Sequence, residues 1–524
     1  MSYLGHKLRA VVKKFAEFFY YIFKSVSVAR AVTLSFGIAI LFGTILLFLV
    51  EKDLDIFDSF YLSASAFCVT GLTTKNISEL SLVGQILIML YIQIGGLGII
   101  VFTVFVGLMV LSGLSRNAKL RDFVKEVLDT EVKTETGKVV GESDRIWRVI
   151  FSILKITFFL ESLGAIALYF VLPPELPYNV SRVFLAIFTS ISAFNNAGFS
   201  LVNDLSFLIK SPIALYILSI LIVLGGIGYP VIIFIEKTIL EIIHKLVSYF
   251  EVRGETYLMT QAIRGEEPSR LYFLLTRISA WSEYRIEDYN KRLFGESNII
   301  QTKIIFYWTI ALLFGGCFLL LSLEFNNPLT ISNLSFHEKF ANILFLSASS
   351  RTAGFNTFLI SNLYDASIVL LCILMFIGGG PQGTAGGIKI TTFAILIKYL
   401  ENVISSLSNV RFFDQTISKK SVAMSIRLYF LGTTVIAVII FLLTLIRAES
   451  GQLQNIVFEV ISAFSTVGFS LGLSSKLSNT EKIIYSLVMY VGRIGVFNVL
   501  IAITGNPVTS QIGQEDMDVK IQVG

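Results

Sequence analysis

The chain has 524 residues, of which 54% are hydrophobic and only 15% charged, with a formal net charge of +5. Soluble globular chains are about a quarter charged, so this composition excludes an ordinary soluble fold and points to a polytopic membrane protein. The three cysteines (Cys68, Cys317 and Cys372) lie in apolar stretches without paired spacing, and His6, His244 and His337 are scattered. That pattern argues against a disulfide framework, a zinc site or a metal cluster.

Residues 1–29 mix Lys and Arg with Phe and Tyr, as in KLRAVVKKFAEFFYYIFK (7–24). This suits a helix lying on the inner membrane surface. The apolar run that follows is about 20 residues long, the length that crosses a bilayer. It carries no small-residue cleavage site, so it reads as a retained first span and not a secretory signal. Further full spans are predicted near 82–112, 147–171, 211–243, 303–323, 364–400 (interrupted), 424–446 and 480–504. Between the members of each consecutive pair lies an apolar segment too short to span, at 58–69, 183–195, 338–350 and 453–465.

Each short segment ends in a related tetrapeptide: VTGL (69–72), NAGF (196–199), TAGF (352–355) and TVGF (466–469). Aligned on Gly71, Gly198, Gly354 and Gly468, three units carry Ala-Phe upstream, and the third carries Ser349-Ser350 instead. Downstream, IGGLG (94–98), LGGIG (224–228), IGGGP (377–381) and VGRIG (491–495) also align. Four repeats in one chain follow: 30–112, 147–243, 303–400 and 424–505, joined by links 113–146, 244–302 and 401–423 and followed by a tail 506–524. The links are basic and the glycine side carries only scattered charges, which places both termini and the links in the cytoplasm. The positive net charge therefore reads as topology and not as nucleic-acid binding.

Irregular backbone inside a membrane is tolerated only where protein buries it or a watery cavity adjoins it. Four such loops must then converge on one axis, where glycines permit close backbone approach. Their carbonyls could replace the hydration shell of a cation, with the C-terminal, partly negative ends of four short helices behind them.

These motifs resemble the Trk/Ktr/HKT superfamily of potassium transporters, most closely its Ktr-type membrane subunit. TGLTT (70–74), FNNAGFS (194–200), RTAGFNT (351–357) and STVGFS (465–470) match the family's four filters in order. The resemblance implies an all-α membrane fold of four non-identical span–pore-helix–loop–span units around a pseudo-fourfold pore. It assigns a potassium filter to Val69, Thr70, Gly71, Asn196, Ala197, Gly198, Thr352, Ala353, Gly354, Thr466, Val467 and Gly468. Serine at the first filter glycine goes with sodium permeation in this family, whereas this chain has glycine at all four positions. Only the fourth loop keeps a Thr-Val pair before its glycine, so the ring is not fourfold in its side chains.

The sixth span is interrupted by FIGGGPQGTAGGIKI (376–390), through which no helix runs unbroken. Its GxGxxG lacks the βαβ context of a dinucleotide site, and Ile388 spoils a Walker loop. The reading that remains is a gate beneath the filter, built on Gly378, Gly379, Gly380, Gly383, Thr384, Gly386 and Gly387. Arg493 stands where other units have Gly96, Gly226 and Gly379. A buried arginine in a span needs a partner; carbonyls freed by the broken helix would serve, and the family has a gating arginine here. Arg351 is read as a brace of the third loop, Glu161 as a satisfied buried acid or a cation relay, and Glu459 as structural or field-tuning.

The resemblance further implies a homodimer in the cytoplasmic (inner) membrane, docked on a separate cytosolic ring that binds nucleotide. No cofactor belongs to this chain; potassium is the substrate, and sodium activation stays open. The alternatives are a sodium-permeable or symporting relative and a membrane-embedded enzyme. The enzyme is disfavoured because Glu161 and Glu459 stand alone and no Cys/His cluster or serine–base set recurs.

Overall fold

The computed structural model describes residues 28–97, 142–173, 180–202, 205–263, 277–283, 286, 296–406, 409–447, 451–504 and 521–522. The segment 7–24, the end of the second predicted span (98–112), the link 113–141 and the tail 506–520 lie outside the described residues.

Each unit opens with a long apolar helix: α1 (Val28–Val50), α4 (Glu142–Val171), α8 (Glu296–Glu324) and α12 (Lys419–Arg447). Among the described residues these are the helices long and apolar enough to cross a membrane alone. Large apolar side chains on them, such as Phe170 and Phe318, face outward and are mostly exposed. Water would penalise such a surface, and lipid does not.

The short helices follow as α2 (Ile56–Phe67), α5 (Arg182–Phe194), α9 (Phe336–Ser349) and α13 (Leu453–Phe464), of 12 to 14 residues. At ~1.5 Å per residue they cover roughly 20 Å, short of the ~30 Å hydrocarbon core. Their starts are specified locally. Asp55 caps α2 by accepting from the Asp58 amide, and Ser335 with Glu338 forms a capping box on α9. Serines fix three of them to their own first spans: Ser63 Oγ donates to Ile40 O at 3.0 Å, Ser190 Oγ to Glu161 O at 2.7 Å, and Ser347 Oγ to Leu313 O at 2.8 Å.

The returning helices are α3 (Leu82–Gly96), α6 (Pro212–Ile227), α10 (Asp365–Phe376) and α14 (Asn479–Ile494). Three continue after a break as α7 (Tyr229–Ile263), α11 (Ile390–Ile404) and α15 (Val496–Thr504). Here the structure corrects the sequence reading, which expected 211–243 and 480–504 to run unbroken. The chain turns 112° between α6 and α7. The corner is Gly228 at φ 92°, and Gly495 between α14 and α15 has φ 91°. Residues with a Cβ are disfavoured there, so the last glycine of LGGIG and VGRIG acts as a corner and not as a packing residue within a helix.

Each short helix packs on the returning helix of the preceding unit: α5 on α3, α9 on α6, α13 on α10, and α2 on α14. The last pairing closes the circle. Ion pairs lie close by: Lys482 Nζ meets Asp58 Oδ1 at 2.6 Å, and Arg447 Nε meets Glu481 Oε1 at 2.6 Å. A two-residue hairpin pair, β1 (Arg411–Phe412) with β2 (Gln415–Thr416), precedes α12.

Candidate functional site: four glycine loops on one axis

The four loops adopt one backbone design. Two residues before each glycine the chain enters the left-handed region, at Val69 (φ 56°), Asn196 (57°), Thr352 (88°) and Thr466 (51°). The glycines follow at φ 93°, 69°, 71° and 98° for Gly71, Gly198, Gly354 and Gly468. Three of the four preceding residues are β-branched, for which this conformation is a genuine outlier. Strain of that kind persists where the surroundings over-determine it, and it clusters at functional sites.

The surroundings are visible. The amides of Thr70, Ala197 and Val467 donate to the carbonyls of Ser65, Ser192 and Ser462, each at 2.8 Å. The same serines act again through their side chains. Ser65 and Ser462 accept from Gly71 N and Gly468 N at 3.1 Å, while Ser192 Oγ donates to Phe199 O at 2.7 Å. In the third unit Ser349 takes this place, accepting from Ala353 N at 2.8 Å and donating to Phe355 O at 2.7 Å. The third helix ends at Ser349, one residue earlier relative to its glycine, and its serine stands one residue nearer the glycine than in the other units; Arg351 occupies the position of Cys68, Asn195 and Ser465. Sequence reasoning missed these serines as loop anchors, although the shared Ile-Ser-Ala-Phe of two units was the signal.

The glycines touch in a cycle. A Cβ on Gly71 would lie 2.5 Å from Ala197 O, and one on Gly198 would lie 2.5 Å from Ala353 O. A Cβ on Gly354 would collide with Val467 O, and one on Gly468 with Thr70 O. Each loop thus sets the carbonyl before its glycine against the glycine of the loop one unit earlier, and the fourth glycine meets the first loop's carbonyl. All twelve candidate filter residues lie in this ring or one residue from it.

Directly against the ring lies the break between α10 and α11. Gly378 N donates to Ile388 O at 2.8 Å, closing the break into a loop. Gly380 N donates to Gly226 O at 2.9 Å, and Thr384 N to Gly225 O at 3.1 Å. Gly386 packs on the Thr466 side chain, Gly387 on Ser465, and a Cβ on Gly383 would meet Gly226 O at 2.7 Å. The loop therefore touches units two and four as well as its own.

Three cations hold the loop through carbonyls. Arg493 donates from Nη1 to Thr384 O and from Nη2 to Gly95 O at 2.5 Å, bridging the loop to the first unit. Arg351 Nη2 donates to Gly378 O at 3.2 Å. Lys389, which sequence reasoning passed over, donates to Ala385 O at 2.6 Å. Glu161 accepts from Asn195 Nδ2 at 2.8 Å, a buried acid with an amide partner.

The far end of the chain also reaches this loop. Gln382 Nε2 donates to Gln522 Oε1 at 3.0 Å, Thr391 Oγ1 donates to Gln522 O at 2.9 Å, and Ile521 is buried among Ile300, Ala394 and Ile417. No group of three His, Cys, Asp or Glu able to hold a metal occurs among the described residues.

Four re-entrant loops sharing one axis within a membrane bundle define the class: a channel-like ion transporter and not an enzyme. The sequence pattern of the TrkH cation transport proteins matches residues 29–507, and the chain belongs to that family. It is 30% identical over 472 residues to Ktr system potassium uptake protein B of Vibrio alginolyticus, covering 89% of each chain. It is 29% identical over 489 residues to the potassium/sodium uptake protein NtpJ of Enterococcus hirae, covering 92% of this chain and 93% of that one. The fold is similar to that of the crystal structure of the potassium transporter TrkH from Vibrio parahaemolyticus, with a TM-score of 0.60 at 17% identity, covering 91% of this chain and 85% of that one.

Proposed function

We propose that the chain carries potassium into the cell across the cytoplasmic membrane, through a selectivity filter formed by the twelve loop residues. The single observation that carries this reading is the closed cycle of four glycines and their neighbouring carbonyls. Such a cycle offers a dehydrated cation oxygen ligands from all sides. The relatives named as potassium uptake proteins support potassium as the cargo. Glycine at all four filter positions favours potassium over the sodium-permeable reading.

Beneath the filter, residues 376–390 and Arg493 form the gate. The loop occupies the axis, and the guanidinium adds a positive charge that opposes cation passage. The basic links set the termini in the cytoplasm. There a homodimer of this chain docks on a nucleotide-binding ring, in keeping with the naming of its relatives as parts of a Ktr system.

The test is growth of an uptake-deficient bacterium on limiting potassium, with and without a Ktr-type ring partner, followed by ion-substitution flux. Rescue is expected, and Gly468→Ser is expected to raise sodium uptake relative to potassium. No rescue under any partner condition, or unchanged selectivity in Gly468→Ser, would remove this reading.

A further inference from the structure

The fourth short helix holds an acid that the transport reading leaves unused. Glu459 is fully buried in α13, nine residues before Gly468. Its counterparts at the same distance from Gly71 and Gly198 are Leu62 and Thr189. In the third unit the counterpart is Phe345. The carboxyl therefore stands behind one wall of the ring only.

Its first oxygen faces the chain leaving the filter. Ser470 Oγ, two residues beyond Gly468, donates to Glu459 Oε1 at 3.1 Å, and Ser474 Oγ donates to the same atom. Ser470 in turn accepts from Gly472 N at 2.9 Å, at a sharp turn where Gly472 has φ 93°. The second oxygen, Oε2, is buried without a hydrogen-bond partner. Its carboxyl interacts electrostatically with the buried Tyr61 of α2 and Tyr485 of α14, and the Tyr485 hydroxyl is also without a hydrogen-bond partner. These two tyrosines belong to the seam where the fourth unit meets the first.

A polar group taken out of water is costly unless hydrogen bonds compensate, and a buried acid is a costly way to fill space. What Glu459 adds is a strut. The loop runs inward along α13, turns at Thr466 to Gly468, and runs outward through Ser470 to Ser474; Glu459 ties the outward limb to the inward one.

We propose that Glu459 is a positioning residue for ion selection, holding the fourth filter wall in place by accepting hydrogen bonds from Ser470 and Ser474. The proposal rests on the reading of the glycine ring as the filter. What acts is the acceptor oxygen, which a glutamine shares. The loss of one such bond to a buried acceptor corresponds to about tenfold in an equilibrium.

The experiment compares Glu459→Ala, Glu459→Gln, Ser470→Ala and Gly468→Ser in the full chain. It measures potassium and sodium uptake separately at matched membrane abundance. Glu459→Ala and Ser470→Ala are expected to lower the potassium-to-sodium uptake ratio by about tenfold, with Glu459→Gln within about twofold of the native ratio. Ser470→Ala removes only a hydroxyl and decides the matter if Glu459→Ala fails to accumulate. A native ratio in Ser470→Ala beside an altered one in Gly468→Ser would overturn the strut and leave the filter standing. A Glu459→Gln ratio as low as that of Glu459→Ala would overturn the acceptor mechanism. A native ratio in Gly468→Ser would overturn the filter reading and this proposal together.

Discussion

Consider Gly198→Ala, which adds one methyl group to the second wall of the ring. Gly198 sits at φ 69°, where a residue with a Cβ costs roughly 1–2 kcal/mol. The added carbon would also lie 2.5 Å from Ala353 O and 3.4 Å from Gly354 Cα. Carbon and oxygen at that separation overlap, so the second and third loops must move apart. Overpacking of a dense interior costs about 1–3 kcal/mol. The two effects together disfavour the native ring by about 2–5 kcal/mol, or at least a tenfold shift in population. The expected outcome is a loss of potassium uptake of about tenfold or more and a reduced preference over sodium. Rubidium and sodium flux into an uptake-deficient strain, normalised to protein in the membrane, measures both. Native rate and native selectivity at native abundance would show that the glycine cycle is not where ions are selected.

Two further outcomes follow from the contacts beneath the ring. Arg493→Ala removes donors to Thr384 O and Gly95 O and a positive charge beside the axis; uptake is expected to rise by about tenfold, since charged hydrogen bonds contribute roughly 1.5–3 kcal/mol each, and its dependence on the regulatory partner should weaken. Native flux with native regulation would exclude that role. Ile521→Ala empties a buried site among Ile300, Ala394 and Ile417, which costs about 2–5 kcal/mol of docking. Hydrogen exchange at the Ile521 amide, which donates to Ser421 Oγ at 3.2 Å, should accelerate correspondingly, and an unchanged rate would show that the side chain does not hold the tail.

The repeats and their glycines were legible because composition, segment length and backbone geometry all mark them. A segment of a dozen apolar residues cannot span, and a position at positive φ that abuts a neighbouring carbonyl admits little but glycine. The corners at Gly228 and Gly495 were hidden for the opposite reason. Apolar side chains continue on both sides of each bend, so hydropathy runs on while the direction of the chain changes. The changed anchor of the third loop was also hidden, since Ser349 stands five residues before its glycine where the other serines stand six, and only the hydrogen bonds show that it serves the same end. The docking of Ile521 and Gln522 was illegible because the short apolar alternation at Val519, Ile521 and Val523 does not say which surface it meets. Lys389 was passed over because only Ile388 beside it was weighed, and its bond to Ala385 O, four residues back, forms only once the break folds.

The cyclic contact of Gly71, Gly198, Gly354 and Gly468 has a genetic consequence. In an assembly of four identical chains, one codon governs every side of the ion path, and any change is applied four times. Here each side has its own codon. Val69, Asn196, Thr352 and Thr466 show that the four have already diverged at one depth of the ring. A mutation can therefore adjust one quadrant while three keep their shape, so that, on the proposed reading of the ring as the filter, cation preference can drift in small increments. That freedom is closed to a pore whose walls are copies.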